Sequence, residues 1–136
     1  MGFLYLPPYR VQGVSIAGEE SCVQVPELDV SFDIGMVPRP ALACKYVALT
    51  HGHMDHSAGI SYYYSQRNFQ GMGTGTILCP KAIEPAIHNV MKAWIDLEAQ
   101  RTPYEVIGKA PDQEVQIKNK IHACAFETKP TVVSAG

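Results

Sequence analysis

The chain has 136 residues, room for one small domain, and 46% of its side chains are apolar, enough for a packed core. No apolar run reaches the length needed to span a bilayer as a helix. The formal charge is −2 and the 11 basic residues are scattered, so no basic tract of the kind that drives non-specific nucleic-acid binding is visible.

The opening stretch Met1-Gly2-Phe3-Leu4-Tyr5-Leu6 lacks the basic region of a secretory signal. It also lacks Ser or Thr at the sixth position, which argues against myristoylation at Gly2. Val11 to Ile16 and Cys22 to Val25 read as strands, joined by a hairpin turn across Ala17-Gly18-Glu19-Glu20. Val30 to Asp33 is a further strand, ended by Gly35. Pro38 and Pro40 mark a surface connection. Lys45 to Leu49 is a compact apolar run, read as a buried strand.

Directly after that run, His51, His53, Asp55 and His56 bring three imidazoles and a carboxylate into six residues. Imidazole and carboxylate are ligands that zinc favours. His51 and His53 are two apart, so an extended segment points both rings to one side. Asp55 and His56 are adjacent and diverge, which lets them reach a second ion. A lone histidine is ordinarily just a tolerated polar residue; packing does not explain three around an aspartate at the end of a strand. A helical start near Asp55 to Ser57 would close the loop.

Ser57 to about Gln70 reads as a helix, with Tyr62, Tyr63 and Tyr64 as packing and surface aromatics. Gly71-Met72-Gly73-Thr74-Gly75 follows a helix and precedes the strand Thr76 to Cys79. That is the reverse of a dinucleotide fingerprint, so it reads as a turn. A second helix spans roughly Ile83 to Gln100. Ile83, Ile87, Val90, Met91, Trp94 and Leu97 form its apolar face, and His88, Lys92 and Asp96 lie solvated opposite. Strands follow near Tyr104 to Ile107, Glu114 to Ile117 and Ile121 to Glu127. His122 in the last reads either as an ordinary strand histidine or as a substitute ligand. The four cysteines form no C-x-x-C pair and fit buried thiols in a reducing compartment, so a cytoplasmic protein is expected.

The segment Thr50-His51-Gly52-His53-Met54-Asp55-His56-Ser57-Ala58-Gly59 resembles the signature of the metallo-β-lactamase fold hydrolases. Phe32-Asp33-Ile34-Gly35 before it, and Ser65-Gln66-Arg67-Asn68-Phe69-Gln70-Gly71-Met72-Gly73 after it, are similar to the ribonuclease Z-like branch. The similarity extends from about Val14 to Gly136. It implies an α/β fold of α+β type, the N-terminal half of an αββα sandwich, with two zinc ions (Zn²⁺) at one edge of the sheets. His51 and His53 would bind the first zinc, and Asp55 and His56 the second. Asp55 would also accept a proton from the attacking water. Asp33 would orient a ligand from behind, although a plain strand-end aspartate is the equal alternative. Two such ions about 3.5–4 Å apart share a hydroxide and stabilise charge on both reacting oxygens. The implied partner is RNA, precursor tRNA cut on its 3′ side; a small phosphodiester or another ester stays open, since no basic arm is seen.

The chain departs from the family pattern in two ways. A complete domain duplicates the sheet-and-helix half, so residues 1–136 read as one partial domain, and a bridging aspartate and a last histidine would lie beyond Gly136. A half sandwich leaves a sheet face and strand edges uncovered, so self-association or a homo-oligomer is expected. The slot of a third histidine aligns with Pro130 in Thr128-Lys129-Pro130-Thr131, and proline has no donor atom. Two functions follow: a zinc-dependent ribonuclease Z-like hydrolase seen in part, or a non-catalytic relative with an incomplete metal site.

Overall fold

A computed structural model describes residues 2–118 and 121–126; Pro130 lies outside the described residues. The alternating first quarter of the chain builds a meander of β1 (Gly2–Leu6), β2 (Tyr9–Ile16), β3 (Glu20–Val25) and β4 (Val30–Phe32), each antiparallel to the one before. The compact apolar runs that follow build β5 (Tyr46–Ala48), β6 (Thr76–Pro80) and β7 (Glu105–Lys109), all parallel to β4. The result is one seven-stranded mixed sheet in chain order. Helices α1 (Arg39–Ala43), α2 (Met54–Ser57), α3 (Ile60–Phe69) and α4 (Glu84–Glu98) occupy the crossovers, and β8 (Glu114–Lys118) pairs with β9 (Ile121–Cys124) as a separate hairpin. The class is mixed α/β, as expected.

The register explains the core. Ser31, Val47, Ile77 and Val106 stand in one row across β4 to β7. Val47 and Ile77 are buried with Ile60, Tyr63 and Tyr64 of α3 and with Ile87 and Met91 of α4, and Val106 packs against that cluster. The neighbouring row of Phe32, Ala48, Leu78 and Ile107 points to the opposite face, where Phe32 is 43% exposed. Parallel pairing also brings the carboxyl ends of β4 to β7 to one edge, the place where open α/β sheets hold their ligands. Asp33 leaves β4 there, and Leu49 to His56 leave β5 there.

Arg67 ties the core to its loops. It is buried, and it donates from Nη1 to the carbonyls of Leu42 at 2.8 Å and Cys44 at 3.3 Å. Nη2 donates to Met72 O at 2.9 Å and Nε to Gly73 O at 3.2 Å. Among the described residues no carboxylate pairs with it; four carbonyl dipoles and the Tyr63 ring face hold the charge instead.

Several expectations need correction. β1 was not foreseen because Phe3-Leu4-Tyr5-Leu6 does not alternate; it is an edge strand, exposed throughout. The connection at Pro38 and Pro40 contains α1, since proline is tolerated in a helix's first turn. The helix expected from Ser57 begins later, as α3 at Ile60, and the helical start expected near Asp55 is the separate short helix α2, with Gly59 at the break. Gly59 N–H donates to Ile34 O at 2.8 Å, and a Cβ there would stand 2.6 Å from Val37 Cγ2. On α4 only Ile87 and Met91 are buried; Val90, Trp94 and Leu97 are exposed. Cys22, Cys44 and Cys79 are buried thiols as expected, and desolvation pushes Cys44 up to about 12 and Cys79 to about 11, whereas Cys124 is exposed. Among the described residues no helix is long and apolar enough to cross a membrane.

Candidate metal centre

The site begins where β4 ends. Asp33 N–H donates to Ala48 O at 2.9 Å, which sets Asp33 beside the exit of β5. Its backbone takes a left-handed φ of 62°, which aspartate tolerates better than most residues. The Asp33 carboxylate is buried and collects three donors. Thr50 N–H donates to Oδ1 at 2.8 Å, Thr50 Oγ–H donates to Oδ2 at 2.9 Å, and His56 Nδ1 lies 2.7 Å from Oδ2.

This network assigns the imidazoles. Thr50 Oγ has one proton and gives it to Asp33, so it can only accept from His51 Nδ1, which lies 2.8 Å away. His56 Nδ1–H donates directly to Asp33. Both rings therefore carry a proton on Nδ1, so Nε2 is the atom through which each could ligate a metal. One buried carboxylate thus orients two of the three histidines, one directly and one through Thr50. Asp33 is an orienting group rather than a plain strand-end aspartate. Thr50 was not foreseen, because a threonine before a histidine carries no distinctive sequence signal.

His56 Nε2 faces Asp55 Oδ2 at 3.3 Å. With the proton on Nδ1, a lone pair confronts a carboxylate oxygen, and only a proton or a cation between them makes the contact attractive. The separation is also about that of two donors held 2.0–2.1 Å from one tetrahedral ion. The His51 ring centroid lies 4.1 Å from that of His56 and 4.6 Å from that of His53. Burial, then the repulsion of His56 and His53, pushes the His51 imidazole below its ordinary range, which keeps it neutral and able to donate a lone pair.

All four residues singled out from sequence therefore lie in one cluster, and Asp55 and His56, expected to diverge, face each other at 3.3 Å. The donor chemistry fits a divalent metal, but among the described residues no three of these side chains converge on one point. His53 is exposed, and its ring makes only the edge contact with His51. His88 lies elsewhere, on α4. It is exposed but not merely solvated, since its Nδ1 is 3.0 Å from Tyr104 Oη. His122 is exposed on β9, 3.5 Å from Glu114 Oε2, and contributes nothing to the cluster.

The backbone fixes the loop from behind. Ile34 N–H donates to His56 O at 2.8 Å, and Ser57 Oγ donates to His53 O at 2.9 Å. Gly35 lies against Asp55 with no room for a side chain: a Cβ would stand 2.7 Å from the Asp55 carbonyl carbon and 2.9 Å from Ser21 N. Removing the orienting carboxylate tests the cluster as a zinc site. Asp33→Ala is expected to weaken zinc binding by about 10–100-fold, read by competition with a chromophoric chelator. A loss below about threefold would show that the imidazoles orient themselves.

No family model matches the chain. It is 29% identical over 128 residues, 94% of its length, to tRNase Z TRZ1 of Arabidopsis thaliana. It is 30% identical over 131 residues, 96% of its length, to tRNase Z TRZ2, chloroplastic, of the same plant. To the nuclear ribonuclease Z of Triticum aestivum it is 28% identical over 133 residues, 98% of its length. The chain spans 46% and 37% of the two Arabidopsis proteins and 76% of the wheat protein. These similarities, which take in the Asp33–His56 cluster, support a ribonuclease Z-like relationship for the chain.

Proposed function

We propose that this chain supplies one half of the metal site of a zinc-dependent ribonuclease Z-like phosphodiesterase, built on a metallo-β-lactamase-type sandwich, that cuts precursor tRNA on its 3′ side. The carrying observation is the Asp33 network, which engages Nδ1 of His56 directly and Nδ1 of His51 through Thr50, so that Nε2 is the ring atom each could offer to a metal, within a cluster that also holds Asp55. In this reading His51 and His53 ligate one ion and Asp55 and His56 a second. Asp33 and Thr50 hold the two rings in their ligating tautomer. The metal, when bound, supplies charge stabilisation and lowers the pKa of water towards about 7. Asp55 would take the proton of the attacking water on its carboxylate. The remaining ligands come from sequence that the longer relatives carry outside the matched segment.

A second reading is a non-catalytic relative that keeps the scaffold with an incomplete ligand set. The absence, among the described residues, of three donors converging on one point favours it. Elemental analysis and a cleavage assay on a precursor tRNA with a 3′ trailer, both run on the full-length protein, separate the two. At least one zinc per chain together with cleavage at the trailer junction supports the enzyme. Bound zinc without cleavage, or no zinc, supports the second reading.

A further inference from the structure

We infer that the β2–β3 hairpin turn forms an outer wall of this metal centre, with the Gly18 backbone N–H as a positioning group that holds Asp55 opposite His56. The inference rests on the metal reading above. Gly18 N lies 3.1 Å from Asp55 Oδ2, the same oxygen that faces His56 Nε2. The two residues are 37 apart in the chain, and nothing in the motif itself points to the hairpin.

The turn is shaped for this contact. Ile16 pairs with Glu20, and Glu19 N–H closes the turn on Ile16 O at 2.9 Å. Gly18 sits between them at a φ of 78°, a conformation that favours glycine. Space is not the reason for a glycine here, since a Cβ at this position meets nothing within 4 Å. What the position demands is a left-handed backbone and a free amide. The hairpin is anchored a second time at its base, where Gly35 N–H donates to Ser21 O at 3.0 Å beside the Asp55 backbone. Hairpin and metal loop are thus located against each other at two points.

An N–H bonded to a carboxylate is charge-assisted and stronger than a neutral bond. It also removes rotamer freedom from Asp55 before a metal arrives, so less ordering cost falls on binding. Zinc affinity should therefore depend on an amide that never touches the metal.

The test measures Zn²⁺ affinity of the full chain by chelator competition, with Gly18→Pro and Gly18→Asn, each alone and combined with Asp55→Ala. Asparagine keeps the N–H and tolerates positive φ; proline removes the N–H. Gly18→Asn is expected to bind within about threefold of the parent, and Gly18→Pro about tenfold or more weakly. In the Asp55→Ala background Gly18→Pro should cost nothing further. Unchanged affinity in Gly18→Pro, or an equal loss in both backgrounds, overturns the inference. Should Gly18→Pro fail to fold, amide hydrogen exchange decides without it. The Gly18 amide should exchange slowly in the metal-free parent and at the rate of an open turn in Asp55→Ala; equal rates overturn the inference. A parent that binds no zinc sinks the metal reading together with this one, whereas a zinc-binding parent matched by Gly18→Pro sinks this one alone.

Discussion

Arg67→Ala should lower the unfolding free energy by about 3–5 kcal/mol, measured by urea titration of the folded protein. The guanidinium is buried and supplies donors to the carbonyls of Leu42, Cys44, Met72 and Gly73. Truncation leaves the buried Leu42 and Cys44 carbonyls without this donor and opens a void in the core, and each unsatisfied buried polar group costs about 1–3 kcal/mol. Cys44 O is partly spared, because Tyr63 Oη–H also donates to it at 2.6 Å. Arg67→Lys should recover less than half of the loss, roughly, since a point ammonium cannot span four carbonyls arranged for a planar fork. A loss below about 1 kcal/mol in Arg67→Ala would mean that water replaces the guanidinium at little cost.

Gly35→Ala is expected to weaken zinc binding by about 100-fold or more while leaving the helical content unchanged, since misplacing a site by about 1 Å has effects of that size. The added methyl would overlap the Asp55 backbone and crowd Ser21 N. The two sides of the contact are both held: Gly35 by Ser21 O, and the metal loop by Ile34 N–H on His56 O. Relief must come from moving α2, which carries both Asp55 and His56. Overpacking of this kind typically costs about 1–3 kcal/mol in stability as well. Chelator competition and circular dichroism on the same preparation check both parts. Parent-like zinc affinity in Gly35→Ala would show that the loop accommodates the methyl without moving its ligands.

Much of this site was readable from the order of residues. Three imidazoles and a carboxylate behind a short apolar run declare a cluster because no packing need would gather them there. The alternation of β2 and β3, and the turn between them, were equally plain. What escaped is what depends on contact at a distance. Thr50 and Gly18 act through hydrogen bonds to residues 17 and 37 positions away, and none of these bonds leaves a local trace. Gly35 looked like a strand terminator, whereas its small size is what admits Asp55. Periodicity on α4 found the apolar side but not how much of it the rest of the fold covers, so Trp94 and Leu97 stand on the expected apolar face and are exposed. β1 escaped because its residues are apolar in succession, a pattern that does not separate a strand from any other apolar run.

The seven-stranded sheet is laid down in the order of synthesis, each strand joining the one made just before it. Among the described residues, the side-chain hydrogen bonds that shape the cluster fall between Gly18 and Ser57. This half of the centre can therefore assemble on the nascent chain soon after its fifth strand clears the ribosome. A donor brought from elsewhere would meet a loop already tied down at Gly18, Asp33 and Ile34.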